Sequence, residues 1–249
     1  MSETKTTSDK PKNHELDKEK TMNFYDNIKP TQIQDFIYDD EKHLRKLELL
    51  IKNKLTFPSP SKKIIILHGK YGTGKSELAK LLPELIEQNR IKGAVNKDNE
   101  NVFGNHVGTF IVCKADNSAY ASKRAMPTAV SFNKSRRHYV ILDEVDNMRS
   151  DYQKSLKGFI TEYDHVVYIM TTNHLEKLDD GLKSRAHLIP FTSPSQKLWL
   201  TRCIEICKIY EVSYDERYLA NLIAAADCDA RSILSELEEY ILLEKLDAA

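Results

Sequence analysis

Net charge is absent from this sequence: 37 lysines and arginines offset 37 aspartates and glutamates. Overall electrostatics therefore selects no class of partner, and any nucleic-acid surface has to be a local patch. No apolar run is long enough to span a bilayer, and the amino-terminal stretch lacks the apolar centre of a secretory signal. The chain reads as soluble and intracellular. Cysteine is sparse, at Cys113, Cys203, Cys207 and Cys228. Cys203 and Cys207 stand one helical turn apart, with no further Cys or His pair at ligand spacing, so buried thiols are expected rather than a zinc site. Internal repeats and low-complexity blocks are also missing. What is present is 249 residues, enough to bury a substantial core in one or two domains.

The most informative stretch runs from Ile64 to Ser76. A short β-branched run leads directly into Gly69-Lys70-Tyr71-Gly72-Thr73-Gly74-Lys75-Ser76, a G-x-x-x-x-G-K-S sequence, and an amphipathic helix pattern follows. Strand, glycine loop and helix are the context a phosphate-binding loop requires. Gly69, Gly72 and Gly74 let the backbone turn tightly and aim several N–H groups at one anion. The helix beginning near Lys75 adds its positive end. Lys75 has the reach for β- and γ-phosphates, and the Ser76 hydroxyl suits Mg²⁺.

Periodicity elsewhere alternates strands with helices. Strands are expected at 62–68, 109–113, 139–143, 166–173 and 187–191, with helices between them, including one over 150–163. This pattern predicts an α/β core with a parallel sheet covered on both faces. Residues 1–22 are polar and form an expected disordered tail. Asp39 or Asp40 is placed to cap a helix carrying Leu44, Leu47, Leu50 and Ile51. Residues 96–105 read as a surface loop, and Pro127 lies between short helices. The Thr192-Ser193-Pro194-Ser195 stretch marks a boundary, so the expected domains are 23–192 and 193–249. The second reads as three helices, 196–210, 215–226 and 231–246, with Asp229 as a cap for the last.

Several polar residues fall where sites form. Asp143 ends an apolar strand, the position at which ligands meet open parallel sheets. An acid there suits Mg²⁺ carried by a nucleotide, and the adjacent Glu144 suits activation of an attacking water. Asn173, at another strand end, fits either an ordinary turn or a contact to the attacking water or γ-phosphate. Arg185 fits either a solvated surface or an arginine finger supplied to a neighbouring subunit. Arg231 opens the last helix and fits either a solvated side chain or a contact to the γ-phosphate; dipole logic disfavours a cation there, which favours the contact.

Taken in this order, the motifs resemble those of AAA+ ATPases. Asp143-Glu144-Val145-Asp146 is similar to the family's Walker B box, Asn173 to sensor 1 and Arg231 to sensor 2. Leu182-Lys183-Ser184-Arg185-Ala186 resembles the S-R-C element of sliding-clamp loaders, with Ala186 in place of the Cys. Lys29-Pro30 resembles the box near the adenine, so Pro30 joins the nucleotide-binding candidates. The stretches between motifs look most like the ATPase subunits of T-even-phage-type clamp loaders, and next like replication factor C small subunits. A phage-type resemblance would suit a virus-encoded protein acting at a replication site. The resemblance implies an AAA+ P-loop core followed by a helical lid, with ATP and Mg²⁺ held at interfaces between AAA+ subunits. It implies DNA-stimulated ATP hydrolysis that loads a sliding clamp on primer–template DNA, with no membrane involved. Lys123, Arg124, Lys134, Arg136 and Arg137 form a local basic cluster that suits the DNA backbone or a solvated loop. The family's further helical collar is not expected after the lid. That absence keeps another replication ATPase open: a helicase loader, an initiator or a small viral helicase. Tyr120-Ala121-Ser122 is a poor match to the pore loop of protein-remodelling machines. A regulatory ATP-binding module without turnover is disfavoured by Glu144 and Arg185.

Overall fold

The computed structural model of the chain describes residues 23–90, 108–113, 115, 137–163 and 165–247. The tail 1–22, the polar stretch 96–105, residues 120–122, Pro127, and Lys123, Arg124, Lys134 and Arg136 lie outside the described residues. Arg137 is described, with its guanidinium 3.9 Å from the buried carboxylate of Glu87.

Five parallel strands form one sheet in the order β2-β3-β4-β1-β5. They are β1 (Ile64–Gly69), β2 (Gly108–Val112), β3 (His138–Asp143), β4 (Val166–Thr172) and β5 (Ala186–Phe191). The helices are α1 (Phe24–Ile28), α2 (Glu41–Ile51), α3 (Lys75–Arg90), α4 (Ser150–Glu162), α5 (Asp180–Ser184), α6 (Gln196–Ile209), α7 (Glu216–Ala225) and α8 (Ala230–Asp247). The expected α/β fold with a following helical lid is therefore the observed one. Strand β1 starts at Ile64 rather than at residue 62, because Ser59 and Lys62 exchange backbone hydrogen bonds in a turn just before it.

β1 lies between β4 and β5 with both edges paired, helices cover both its faces, and every residue of Ile64-Ile65-Ile66-Leu67 is fully buried. Alternation sorts them between two cores. Ile65 and Leu67 pack with Leu47 and Leu50 of α2 and Leu78 and Leu82 of α3. Ile64 and Ile66 pack with Leu156 and Ile160 of α4 and Leu182 of α5. Asp40 caps α2, its Oδ1 accepting from the Lys42 N–H at 2.8 Å.

A third core joins α6, α7 and α8 through Trp199, Cys203, Ile206, Cys207, Leu219, Ile223, Ile233 and Leu237. Phe24 and Ile28 of α1 pack into this cluster rather than under the sheet, tying the start of the described chain to the lid. Cys203 and Cys207 are fully buried there, and burial pushes the Cys203 thiol up to about 12. Among the described residues, no helix is long and apolar enough to cross a membrane.

Candidate functional site

The loop between β1 and α3 is shaped by three glycines in the left-handed region: Gly69 (φ 142°), Gly72 (φ 71°) and Gly74 (φ 89°). Two of them also leave no room for a side chain. A Cβ on Gly69 would lie 2.0 Å from the Phe191 carbonyl oxygen, and one on Gly72 would lie 1.4 Å from Asp229 Oδ1. The Lys75 ammonium is folded over the loop. It donates to the carbonyl oxygens of Gly69 (2.9 Å) and Lys70 (2.5 Å), while the Thr73 hydroxyl donates to that of Lys70 (2.9 Å). Burial pushes Lys75 down to about 8, against the pull of Asp143 and Asp146.

At the neighbouring strand ends the acidic groups are tied by hydroxyls. Ser76 Oγ donates to Asp143 Oδ1 at 2.7 Å, and Thr171 Oγ1 donates to the same oxygen at 2.6 Å. The Thr171 hydroxyl also accepts the Glu144 N–H at 3.0 Å. Glu144 adopts the left-handed conformation (φ 57°, ψ 51°), unusual for a residue with a side chain. Asn147 Nδ2 donates to Glu144 Oε2 at 3.0 Å. Asp146 Oδ1 accepts from Thr172 Oγ1 at 2.9 Å and from the Asn173 N–H at 3.3 Å.

Lys75, Ser76, Glu144, Thr171 and Asn173 border one cavity of about 580 Å³ between core and lid. That is within the range of roughly 300–1,000 Å³ typical of ligand pockets. Of the residues singled out by sequence, Pro30, Tyr71, Gly72, Thr73, Gly74, Lys75, Ser76, Glu144, Asn173 and Arg231 line it. Asp143 sits directly behind Ser76, buried. Gly69 and Lys70 shape the loop from outside the lining. The lining also has apolar members, Ile28, Phe36, Ile37, Trp199 and Ile206, with the Phe36 ring against Gly74. The buried indole N–H of Trp199 has no hydrogen-bond partner among the described residues.

Arg185 is elsewhere. Its backbone carbonyl accepts from the N–H groups of Lys63 and Ile64, level with the start of β1, and its Nη1 donates to the Gly181 carbonyl at 2.9 Å. The glycine loop is at the other end of β1, about 16 Å away along the strand. Arg185 is not brought to this chain's own cavity.

The lid is clasped to the loop. The Ala230 N–H donates to the Gly72 carbonyl at 2.9 Å, and Lys70 Nζ pairs with Asp227 Oδ2 at 2.5 Å. Asp229 caps α8 by accepting from the Ser232 N–H at 2.9 Å. Sequence reasoning missed Thr171, Asn147 and Asp227. Thr171 alone had a signal, a hydroxyl pair ending an apolar strand just before Asn173.

The donor set suits a nucleotide with a hard divalent cation. A hydroxyl and a carboxylate oxygen, Ser76 Oγ and Asp143 Oδ1, meet 2.7 Å apart beside a buried lysine and a helix N-terminus.

Residues 65–192 match the family model described as "ATPase family associated with various cellular activities (AAA)". A protein named probable replication factor C subunit 2, from Dictyostelium discoideum, is 28% identical over 211 residues, covering 84% of this chain and 58% of that protein. The replication factor C small subunit of Aeropyrum pernix is 25% identical over 228 residues, covering 90% of this chain and 64% of its own length. The chain thus spans about three-fifths of these relatives. Among solved structures, the RuvB Holliday junction branch migration motor of Thermotoga maritima superposes with a TM-score of 0.60 at 15% identity, covering 85% of this chain and 64% of that one. At that identity the likeness concerns the fold alone.

Proposed function

The chain belongs to the ATPase family associated with various cellular activities, and from that premise we propose that it binds ATP with Mg²⁺ and hydrolyses it as a subunit of a clamp-loader-type assembly in DNA replication. The observation that carries the reading is the meeting of Lys75, Ser76, Glu144, Asn173 and Arg231 around one cavity, with Asp143 behind Ser76.

In this reading residues 23–192 are the nucleotide-binding core and 193–249 the lid. The base lies toward Pro30 and the apolar lining, and the triphosphate lies along the glycine loop. Loop N–H groups and the start of α3 hold the phosphates, and Lys75 turns from its carbonyl partners to the β- and γ-phosphates. Ser76 and Asp143 would hold Mg²⁺, which when bound neutralises charge on the phosphate oxygens. Glu144 orients the attacking water and takes its proton, Asn173 contacts the water or the γ-phosphate, and Arg231 reads the γ-phosphate from the lid. Arg185 serves the site of an adjoining AAA+ subunit, stabilising charge that develops there. The further partners are a sliding clamp and primer–template DNA, and the setting is an intracellular replication site. The names of the relatives support clamp loading over other replication roles.

The test is the ATPase rate of the full chain with and without primer–template DNA and candidate clamps, with assembly mass measured alongside. Stimulation by clamp and DNA together is expected. Turnover indifferent to both would favour a helicase loader or initiator instead. Glu144→Gln is expected to keep ATP bound and to slow turnover by about 10²-fold or more, the scale of lost general-base catalysis. Turnover equal to wild type would remove Glu144 from the role.

A further inference from the structure

We propose that Thr171 is a positioning residue for this site: through one hydroxyl it orients the carboxylate of Asp143 and fixes the backbone of Glu144. The inference rests on the nucleotide-hydrolysis reading and adds a residue that reading did not use.

The Thr171 side chain is buried, at 2% exposure, at the penultimate residue of β4. Its hydroxyl has one proton and two lone pairs. The proton goes to Asp143 Oδ1 at 2.6 Å, a short bond to an acidic group, and one lone pair takes the Glu144 N–H at 3.0 Å. Both contacts are long-range, across 28 and 27 residues of sequence. They exist because β3 and β4 pair in the register Leu142↔Met170, which sets Asp143 beside Thr171.

The Glu144 backbone needs such a restraint. At φ 57° it occupies a region that residues with a Cβ enter at a cost. Its N–H, tied to Thr171, fixes the plane of the Asp143–Glu144 peptide, the base from which the Glu144 side chain departs. The direction of the Glu144 side chain out of β3 therefore depends on the hydroxyl. Asp143 Oδ1 depends on it too, because that oxygen receives only Ser76 and Thr171 among the hydrogen bonds of the described residues. When Ser76 turns its lone pairs to a cation, the Thr171 bond is the one left to hold the carboxylate. One hydroxyl thus ties the carboxylate on the cation side to the residue that handles water.

The experiment compares wild type, Thr171→Val and Thr171→Ser. Three readouts are taken: kcat and KM for ATP, the Mg²⁺ concentration for half-maximal turnover, and affinity for a fluorescent ATP analogue with Mg²⁺ and with EDTA. Thr171→Val keeps the shape and removes the hydroxyl. It is expected to lower kcat and to raise the Mg²⁺ concentration for half-maximal turnover, each by about 10- to 100-fold, and to weaken analogue binding in Mg²⁺, the usual effect of removing a partner that orients a metal ligand. Binding in EDTA should stay within about twofold, because phosphate contacts from the loop do not pass through Thr171. Thr171→Ser, which restores the donor and acceptor, is expected to recover most of the loss. Equal turnover and equal Mg²⁺ response in Thr171→Val would overturn the proposal. So would a Ser variant as poor as the Val variant, or a loss of affinity the same in EDTA as in Mg²⁺, which marks general damage to the fold. A wild type that binds the analogue but never hydrolyses ATP, even with clamp and DNA, would instead refute the hydrolysis reading. The Mg²⁺-against-EDTA binding comparison would still decide the role of Thr171.

Discussion

At the residue scale, the behaviour of the site turns on a few atoms that compete for partners. Lys75 is the clearest case. Buried against the glycine loop, its ammonium is pushed down from 10.5 to about 8 and satisfies itself on the loop's own carbonyls. A bound triphosphate needs that ammonium charged. Nucleotide affinity is therefore expected to be full below about pH 8, and to fall by up to roughly tenfold per pH unit above it as the free protein loses the proton. Stability of the nucleotide-free protein runs the other way. Between about 8 and 10.5 the unfolded chain holds more of this proton than the folded one, so Lys75 adds stability as pH rises through that window. Titration of ATP binding at pH 7, 8 and 9 checks the first statement; an affinity flat across that range would contradict it. Spacing alone gave away Lys75 and Ser76, because strand, glycines and helix fix them locally, and the apolar strand ending in acids marked Asp143. Thr171 and Asn147 were harder to see. Thr171 matters only through strand register, and Asn147 only through a turn that brings it back to Glu144.

At the scale of elements, the loop and the lid act as one unit. Gly72 is held from both sides: its carbonyl accepts the first N–H of α8, and its Cα faces the carboxylate that caps α8. Gly72→Ala would place a methyl carbon 1.4 Å from Asp229 Oδ1 and hold Ala at φ 71°. The backbone strain alone costs about 1–2 kcal/mol, and displacing the Asp229 cap adds about 1 kcal/mol. A melting temperature lower by roughly 4–12 °C is expected, together with weaker ATP binding. A variant that melts and binds like wild type would show that the loop and lid are not packed as described. The helices and their caps at Asp40 and Asp229 were legible from periodicity and capping chemistry. The clasp was not. Lys70 and Asp227 are far apart in sequence, and nothing local marks either as a partner for the other. The packing of Phe24 and Ile28 with the lid was hidden for the same reason.

At the scale of the whole molecule, the sheet separates the cavity from Arg185. Lysine, acids and Asn173 gather at the carboxyl ends of the strands, as parallel sheets favour, and Arg231 joins them from the lid. Arg185 is fixed at the opposite end, against the start of β1. The motif order made both stations readable, but only the geometry separates them by the length of the sheet. If the arginine acts, it acts on another subunit. Arg185→Ala is then expected to bind ATP with wild-type affinity and to lose nearly all turnover, by about 10³-fold or more. The most direct test of shared sites mixes Arg185→Ala with Glu144→Gln under conditions where the chain assembles. A mixed interface can then pair an intact Glu144 on one subunit with an intact Arg185 on the next. Turnover well above that of either variant alone is the expected result. A mixture no more active than its components, with mixed assemblies confirmed by mass, would contradict it.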